Sequence, residues 1–235
     1  MGTATTMSDV WKSQIPLLEE GQVLSRDEFE RRYHAMPKHI RVELIEGVVH
    51  FASPRGFNAH GYPASRLIGW SGFYVAHTPG VDGAANATVR LDLTNEPQPD
   101  SVLIIRPEYG GQVRISADDY LEEAPDLIIE VAGSSVSRDL GPKFRAYARC
   151  GVREYLVWRT HDEAIDWFVL RDGAFVPLLP DAAGIVRSDV FPGLWLDRTA
   201  ALRHDAKALL ATVQLGLQSP EHTRFVAELE ARRTA

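Results

Sequence analysis

Ala124-Pro125-Asp126-Leu127-Ile128-Ile129-Glu130-Val131 reads as a strand buried on both faces that still carries a carboxylate near its end. A continuous run of branched apolar residues suits a central strand of a covered sheet. An acid inside such a run is costly unless it is paired or holds a cation. A second run of this kind, Gln98-Pro99-Asp100-Ser101-Val102-Leu103-Ile104-Ile105, carries Asp100 at its start. A lysine follows in Gly141-Pro142-Lys143-Phe144-Arg145-Ala146-Tyr147. Two strand acids and a nearby lysine point to a hard-metal site that does phosphate chemistry. Each residue also has a plainer reading. Asp100 fits a cap at the beginning of a strand, Glu130 a salt bridge to an arginine, and Lys143 a surface lysine whose stem lies along apolar neighbours.

Around these runs the chain alternates short strands and helices. Ser25-Arg26-Asp27-Glu28 has the spacing of a capping box and opens a helix that Pro37 ends. Val42 to Phe51 reads as a hairpin turning at Glu46-Gly47, His60 to Val75 as a helix, and Thr88 to Leu93 as a half-buried strand with Val89, Leu91 and Leu93 on one face. The polar stretch from Pro107 to Pro125 reads as a loop with one short turn. Pro142 fits the first position of a helix that stops at Gly151. On that helix Lys143 and Tyr147 share a face, with Phe144 and Ala148 as the adjacent core stripe. Strands follow over Glu154–Trp158, Ala164–Leu170 and Ala174–Leu179, the last two joined at Asp172-Gly173. After Phe191-Pro192-Gly193 two helical segments form a tail, with Leu209, Val213 and Leu217 at helical spacing in the first and Phe225 and Leu229 in the second.

Composition sets the limits. The 235 residues suffice for one large domain or one domain with an appendage, and 45% hydrophobic against 24% charged residues allows a sizeable core. Cys150 is the single cysteine, which excludes an intrachain disulfide and a cysteine zinc cluster and fits a reducing, cytoplasmic setting. No apolar run approaches the ~18 residues of a membrane span. Met1 to Trp11 does not read as a signal peptide, and Met7 is a possible alternative start. The net charge of −7 argues against coating nucleic acid through bulk charge. Between Arg138 and Thr160, however, six basic residues face two acidic ones, so a positive stretch surrounds the candidate site. Arg138, Arg145 and Arg149 in it are candidate nucleic-acid contacts; a solvated helix face is the other reading.

The ordered set of segments resembles the Uma2 (DUF820) family of endonucleases within the PD-(D/E)XK restriction-endonuclease-like superfamily. The likeness runs from Ser25 to Asp197, through Val42-Glu43-Leu44-Ile45-Glu46-Gly47, Ser53-Pro54, His60 and Gln98-Pro99-Asp100. It is strongest over Ala124–Val131, Asp139-Leu140-Gly141-Pro142-Lys143-Phe144-Arg145-Ala146-Tyr147 and Gly151-Val152-Arg153-Glu154-Tyr155. It implies an α/β fold: a mixed β-sheet flanked by helices, with residues 1–24 as an N-terminal extension, 25–197 as the nuclease domain and 198–235 as a helical tail. By the likeness Asp100 is the motif aspartate, Glu130 the motif glutamate, and Glu43 an early acid that completes the cluster. His60 and Tyr147 match family positions of unassigned role. The superfamily's lysine stands two residues after the glutamate, where this chain has Ala132, and Lys143 is its substitute from the next helix.

The resemblance implies an endonuclease that cuts phosphodiesters, most simply in DNA, with Mg²⁺ (or Mn²⁺) held by Asp100 and Glu130 and a water activated by the metal. A two-fold homodimer would suit cutting both strands. Lys143→Ala is then expected to slow turnover and leave metal binding nearly intact. Two other readings stay open. One is a non-catalytic nucleic-acid-binding or scaffold protein on the same fold. The other is a hydrolase of small phosphate esters, which would need a closed pocket.

Overall fold

The structure is a computed structural model and describes residues 15–233. Met7, the segment read against a signal peptide and most of the N-terminal extension lie outside the described residues. Helix α1 (Arg26–Tyr33) begins at Ser25, whose hydroxyl accepts from the Glu28 amide at 3.4 Å. Only this half of the expected capping box forms, because the Glu28 carboxylate turns to Arg31 and Arg32 at 2.6–2.8 Å. Strands β1 (Val42–Ile45) and β2 (Val48–Phe51) form the expected hairpin. Glu46 and Gly47 both have positive φ, which matches the right-handed twist of the strands.

A wide turn at Phe57–Gly61 leads into α2 (Tyr62–Ala76). Strands β3 (Val81–Ala85), β4 (Val89–Arg90), β5 (Ser101–Ile105), β6 (Arg114–Ile115), β7 (Leu121–Glu122) and β8 (Leu127–Ala132) follow. Then come α3 (Val136–Arg138), a wide turn over Asp139–Lys143, and α4 (Phe144–Cys150). The remaining elements are β9 (Glu154–Arg159), β10 (Ala164–Arg171), β11 (Ala174–Pro177), β12 (Ile185–Arg187), β13 (Trp195–Asp197), α5 (Arg198–Leu202), α6 (Ala206–Leu217) and α7 (Pro220–Arg232).

A mixed sheet in the order β11-β10-β9-β8-β5-β3 is the frame, with β8 and β9 parallel and the other neighbours antiparallel. One face carries Leu103, Leu127, Ile129 and Val131 and is covered by α2 and the tail helices, through Leu67, Trp70, Leu209, Val213 and Leu229. The other face carries Val102, Ile104, Ile128 and Ala132 and meets Tyr147 of α4. The tail is therefore part of the core on the first face. Its first segment is two helices rather than one, since His204 between them has positive φ.

Four local expectations are corrected. The Pro107–Pro125 stretch contains β6 and β7, which join β4 in a small sheet; two-residue strands leave no alternation to read. The strand read over Thr88–Leu93 shrinks to β4, and Leu93 is exposed, because the Asp92 carboxylate accepts from the Thr94 amide and turns the chain. Pro142 lies inside a helical stretch that begins at Val136, not at its first position. Proline has no N–H to donate and its ring crowds the preceding turn, and widening that turn takes up both defects. On α4 the core side is Ala146 and Tyr147, while Phe144 is half-buried and packs its ring against Phe168 and Phe175.

Glu154, at the start of β9, is fully buried yet satisfied. It accepts from the Trp167 indole, the Ser188 hydroxyl and the amides of Asp189 and Val190 at 2.7–3.1 Å. Burial pushes its carboxyl up to about 7, against the pull of those donors. Glu154→Ala strands all of them, so thermal unfolding should show a loss of about 3 kcal/mol.

Candidate active site

Sheet register brings the two strand acids together. Ser101 pairs with Ile129, Val102 with Ile128 and Leu103 with Leu127, so the next position outward sets Asp100 opposite Glu130. Residues opposite one another share a face. That face is the one α4 covers, and alternation places Glu130 between Ile128 and Ala132 on it. Both acids line one cavity of about 150 Å³, with Glu43 from β1, His60 from the turn before α2, and Arg138, Asp139 and Lys143 from the helical stretch after β8.

Lys143 is the centre of the acidic group. Its ammonium donates to Glu130 Oε1 at 2.8 Å and to Glu43 Oε1 at 2.9 Å, and lies 3.7 Å from Asp139. The Tyr147 hydroxyl, one turn on, donates to the same Glu130 oxygen at 3.1 Å. Glu43 also accepts from the Gln98 amide at 2.7 Å. Asp100 has a different set of partners. Its Oδ2 accepts from the Val131 amide at 2.8 Å and meets His60 Nε2 at 3.1 Å. Arg55 Nη1 stands 2.7 Å from Oδ1, but without the alignment of a hydrogen bond, and that buried oxygen has no hydrogen-bond partner.

The charges are unequal to one another. Burial pushes the Glu130 carboxyl up to about 8; Lys143 pulls against this, and Asp139, Asp100 and Glu43 add to it. Glu43 is buried too, but Lys143 and the Gln98 amide outweigh burial and hold it below the usual carboxylate range. Burial opposes the charge on Lys143, and the surrounding carboxylates reverse that and hold its ammonium well above the usual lysine range. Asp100 is held low, since His60, Arg55 and the Val131 amide together exceed its desolvation. Glu130 is therefore the acid of the cavity that burial and its acidic neighbours hold protonated furthest, and Asp100 the one its cationic neighbours keep ionised.

The structure thus brings Asp100, Glu130, Lys143, Glu43, His60 and Tyr147 to one place. Of the three candidate arginines only Arg138 lines the cavity. Arg145 and Arg149 turn toward Glu46, at 2.7 and 3.5 Å, and Arg149 also toward Asp92. Arg55, Arg41 and Asp139 were not singled out by sequence reasoning. Arg55 sits in a Pro-Arg-Gly break, where position carries no pattern, whereas Asp139 stands four residues before Lys143 and i, i+4 spacing gives it away. Among the described residues no group of three or more His, Cys, Asp or Glu is arranged as a ready metal cage. Asp100 and Glu130 instead offer two carboxylates on rigid strands, which suits an ion that keeps several waters.

Comparison with known proteins agrees with the fold. A crystal structure from Anabaena variabilis, described as "a putative nuclease belonging to DUF820", superposes with a TM-score of 0.55 at 12% identity, covering 81% of this chain and 99% of that one. At that identity the likeness shows the fold alone. A search of curated proteins finds no match. The family model Uma2, described as "Putative restriction endonuclease", matches residues 26–199 and so takes in every candidate residue named above. The chain belongs to the Uma2 family and has its nuclease fold.

Proposed function

We propose that this protein is an endonuclease that hydrolyses phosphodiester bonds in DNA and depends on Mg²⁺, with Mn²⁺ able to substitute. The observation that carries the reading is the meeting of Asp100 and Glu130 at paired strand positions with Lys143 2.8 Å from Glu130. The residues fit a cation. Asp100 Oδ1 is buried without a hydrogen bond and faces the Arg55 guanidinium, and burial together with the neighbouring acids pushes the Glu130 carboxyl up in spite of Lys143. Asp100 and Glu130, with the Val131 carbonyl, would hold the ion, and Glu43 would reach it through water. When bound, the ion supplies an acidified water and neutralises charge on the phosphate.

The chain's own groups do the rest. Lys143 spends two of its three N–H bonds on Glu130 and Glu43 and keeps one for a phosphate oxygen or the attacking water. Tyr147 helps fix Glu130 by donating to the oxygen that Lys143 also meets. Arg138, whose buried Nε has no hydrogen-bond partner, is placed to meet a phosphate. The cavity runs into an open groove through Arg41, Arg55 and His60, which suits a polymer better than a small ester.

Purified protein is expected to nick supercoiled plasmid with Mg²⁺ or Mn²⁺ and to stop with EDTA. Binding of DNA with no cleavage under either ion would favour the non-catalytic reading. The pH dependence has a definite sign. A cation must displace the proton that Glu130 holds up to about 8, so Mn²⁺ affinity should rise roughly tenfold per pH unit below that value and level off above it. Without metal the same group acts on stability in the opposite direction. A carboxyl raised in the folded state favours folding at low pH, and that contribution fades between about pH 4.5 and 8. Titration calorimetry with Mn²⁺ at a series of pH values checks the first; urea unfolding in EDTA checks the second.

A further inference from the structure

The groove beside the cavity is lined by His39, Arg41, Arg55, His60 and Asn86, and no Asp or Glu lines it among the described residues, in a chain of net charge −7. It shares Arg41, Arg55 and His60 with the cavity, so the two are continuous. Arg41 Nη1 and Arg55 Nη1 converge on one neutral oxygen, Asn86 Oδ1, at 2.7 and 3.2 Å. Arg41 has no ion pair among the described residues, so its charge is met there by an amide alone. Two guanidinium groups closing on one oxygen reproduce the donor arrangement that takes a phosphate. Asn86 is itself fixed to the site, since its amide donates to the Asp100 carbonyl at 3.3 Å. Arg55 belongs to both places, because its Nη1 also stands 2.7 Å from Asp100 Oδ1.

We propose that Arg41 and Arg55 form a subsite for a backbone phosphate of the nucleic acid, next to the one being cut, and that Arg55 moves off Asp100 onto this phosphate when the strand binds. The proposal rests on the nuclease reading for the word "cut", and on its own geometry for the subsite. In the free protein Arg55 neutralises Asp100. With a phosphate in the groove it has a better anion, and Asp100 Oδ1 is released for the metal. Substrate and metal then favour each other through one side chain.

The test uses the full chain and a short fluorescein-labelled DNA duplex in EDTA, read by anisotropy over a range of salt. Arg41→Ala and Arg55→Ala should each weaken binding about fivefold or more and flatten the log–log salt slope by roughly one, while Arg224→Ala, at an exposed position of the last helix, changes neither. Wild-type affinity and slope in both variants, or no binding by the wild type, overturns the subsite. Mn²⁺ alone, titrated without DNA, should bind several-fold tighter to Arg55→Ala than to the wild type; an unchanged or weaker affinity overturns the movement of Arg55. Both arginines are solvent-facing, and circular dichroism confirms that the variants are folded. Intact binding in the two arginine variants, with cleavage that Asp100→Asn abolishes, removes the subsite and leaves the nuclease. Weakened binding with no cleavage by the wild type under any divalent ion removes the nuclease and leaves the anion subsite.

Discussion

Glu130→Gln and Asp100→Asn are each expected to lower plasmid nicking by ~10³-fold or more, equivalent to about 4 kcal/mol of barrier, and neither should unfold the protein. Both halves of that result are needed. Glutamine keeps the volume of Glu130 and an oxygen for Lys143 and Tyr147, and it removes a carboxyl that burial already disfavours in its charged form. Glu130→Gln should therefore melt no lower than the wild type. Asparagine at position 100 still accepts from the Val131 amide and loses only the charge that Arg55 and His60 face. Activity lost with the fold intact marks the acids as holders of the cation. Nicking that survives both substitutions would sink the assignment, and activity lost only in step with the melting temperature would make them structural.

Lys143→Ala is expected to destabilise the fold by about 3–5 kcal/mol near pH 8, with a smaller loss near pH 5. The sequence alone suggests a milder outcome, a slower enzyme with an intact site. Burial changes that. Lys143 is 2% exposed and is the cation to which Glu43, Glu130 and Asp139 all turn. Without it three buried carboxylates lose their shared counter-charge and must take up protons, which is easy at pH 5 and costly at pH 8. In the wild type Lys143 and the Gln98 amide hold Glu43 below its ordinary value, so it folds ionised at both pH values. In the variant the buried carboxylates fold protonated, and the cost of taking up those protons grows with each pH unit above about 4.5, so the gap to the wild type narrows toward acid. Urea unfolding of both proteins at the two pH values reads it directly. A loss independent of pH would mean that packing, rather than charge, is what Lys143 contributes. Lys143→Arg keeps a cation in place, and its turnover is the fairer measure of the catalytic role.

Much of this arrangement could be read from the residues. The runs at 102–105 and 127–131 are strands because branched apolar side chains dominate them, and the acids Asp100, just before the first, and Glu130, near the end of the second, were conspicuous for that reason. The hairpins at Glu46-Gly47 and Asp172-Gly173 declare themselves through residues that tolerate positive φ. Lys143 could be placed near Glu130 because a helix directly after a strand folds back over it. The rest needed tertiary contacts. Arg41 and Arg55 flank the β1–β2 hairpin in segments without periodicity, and only the approach of Asn86 and Asp100 gives them a purpose. Arg145 and Arg149 looked like nucleic-acid contacts by charge count, yet Glu46 lies within reach, far away in sequence. Pro142 looked like a helix start because a proline that sits in a widened turn leaves the same local signature.

That widened turn has a consequence for how the molecule assembles. A lysine carried on the same strand as its glutamate would be in place as soon as the sheet forms. Here the cation is in place only once the stretch from Val136 to Cys150 has seated on the sheet. A change that loosens that stretch would therefore withdraw the lysine while both strand acids keep their positions. Amide exchange that quickens over the stretch in such a variant, while β5 and β8 stay protected, would be the trace of a lysine delivered by a helix.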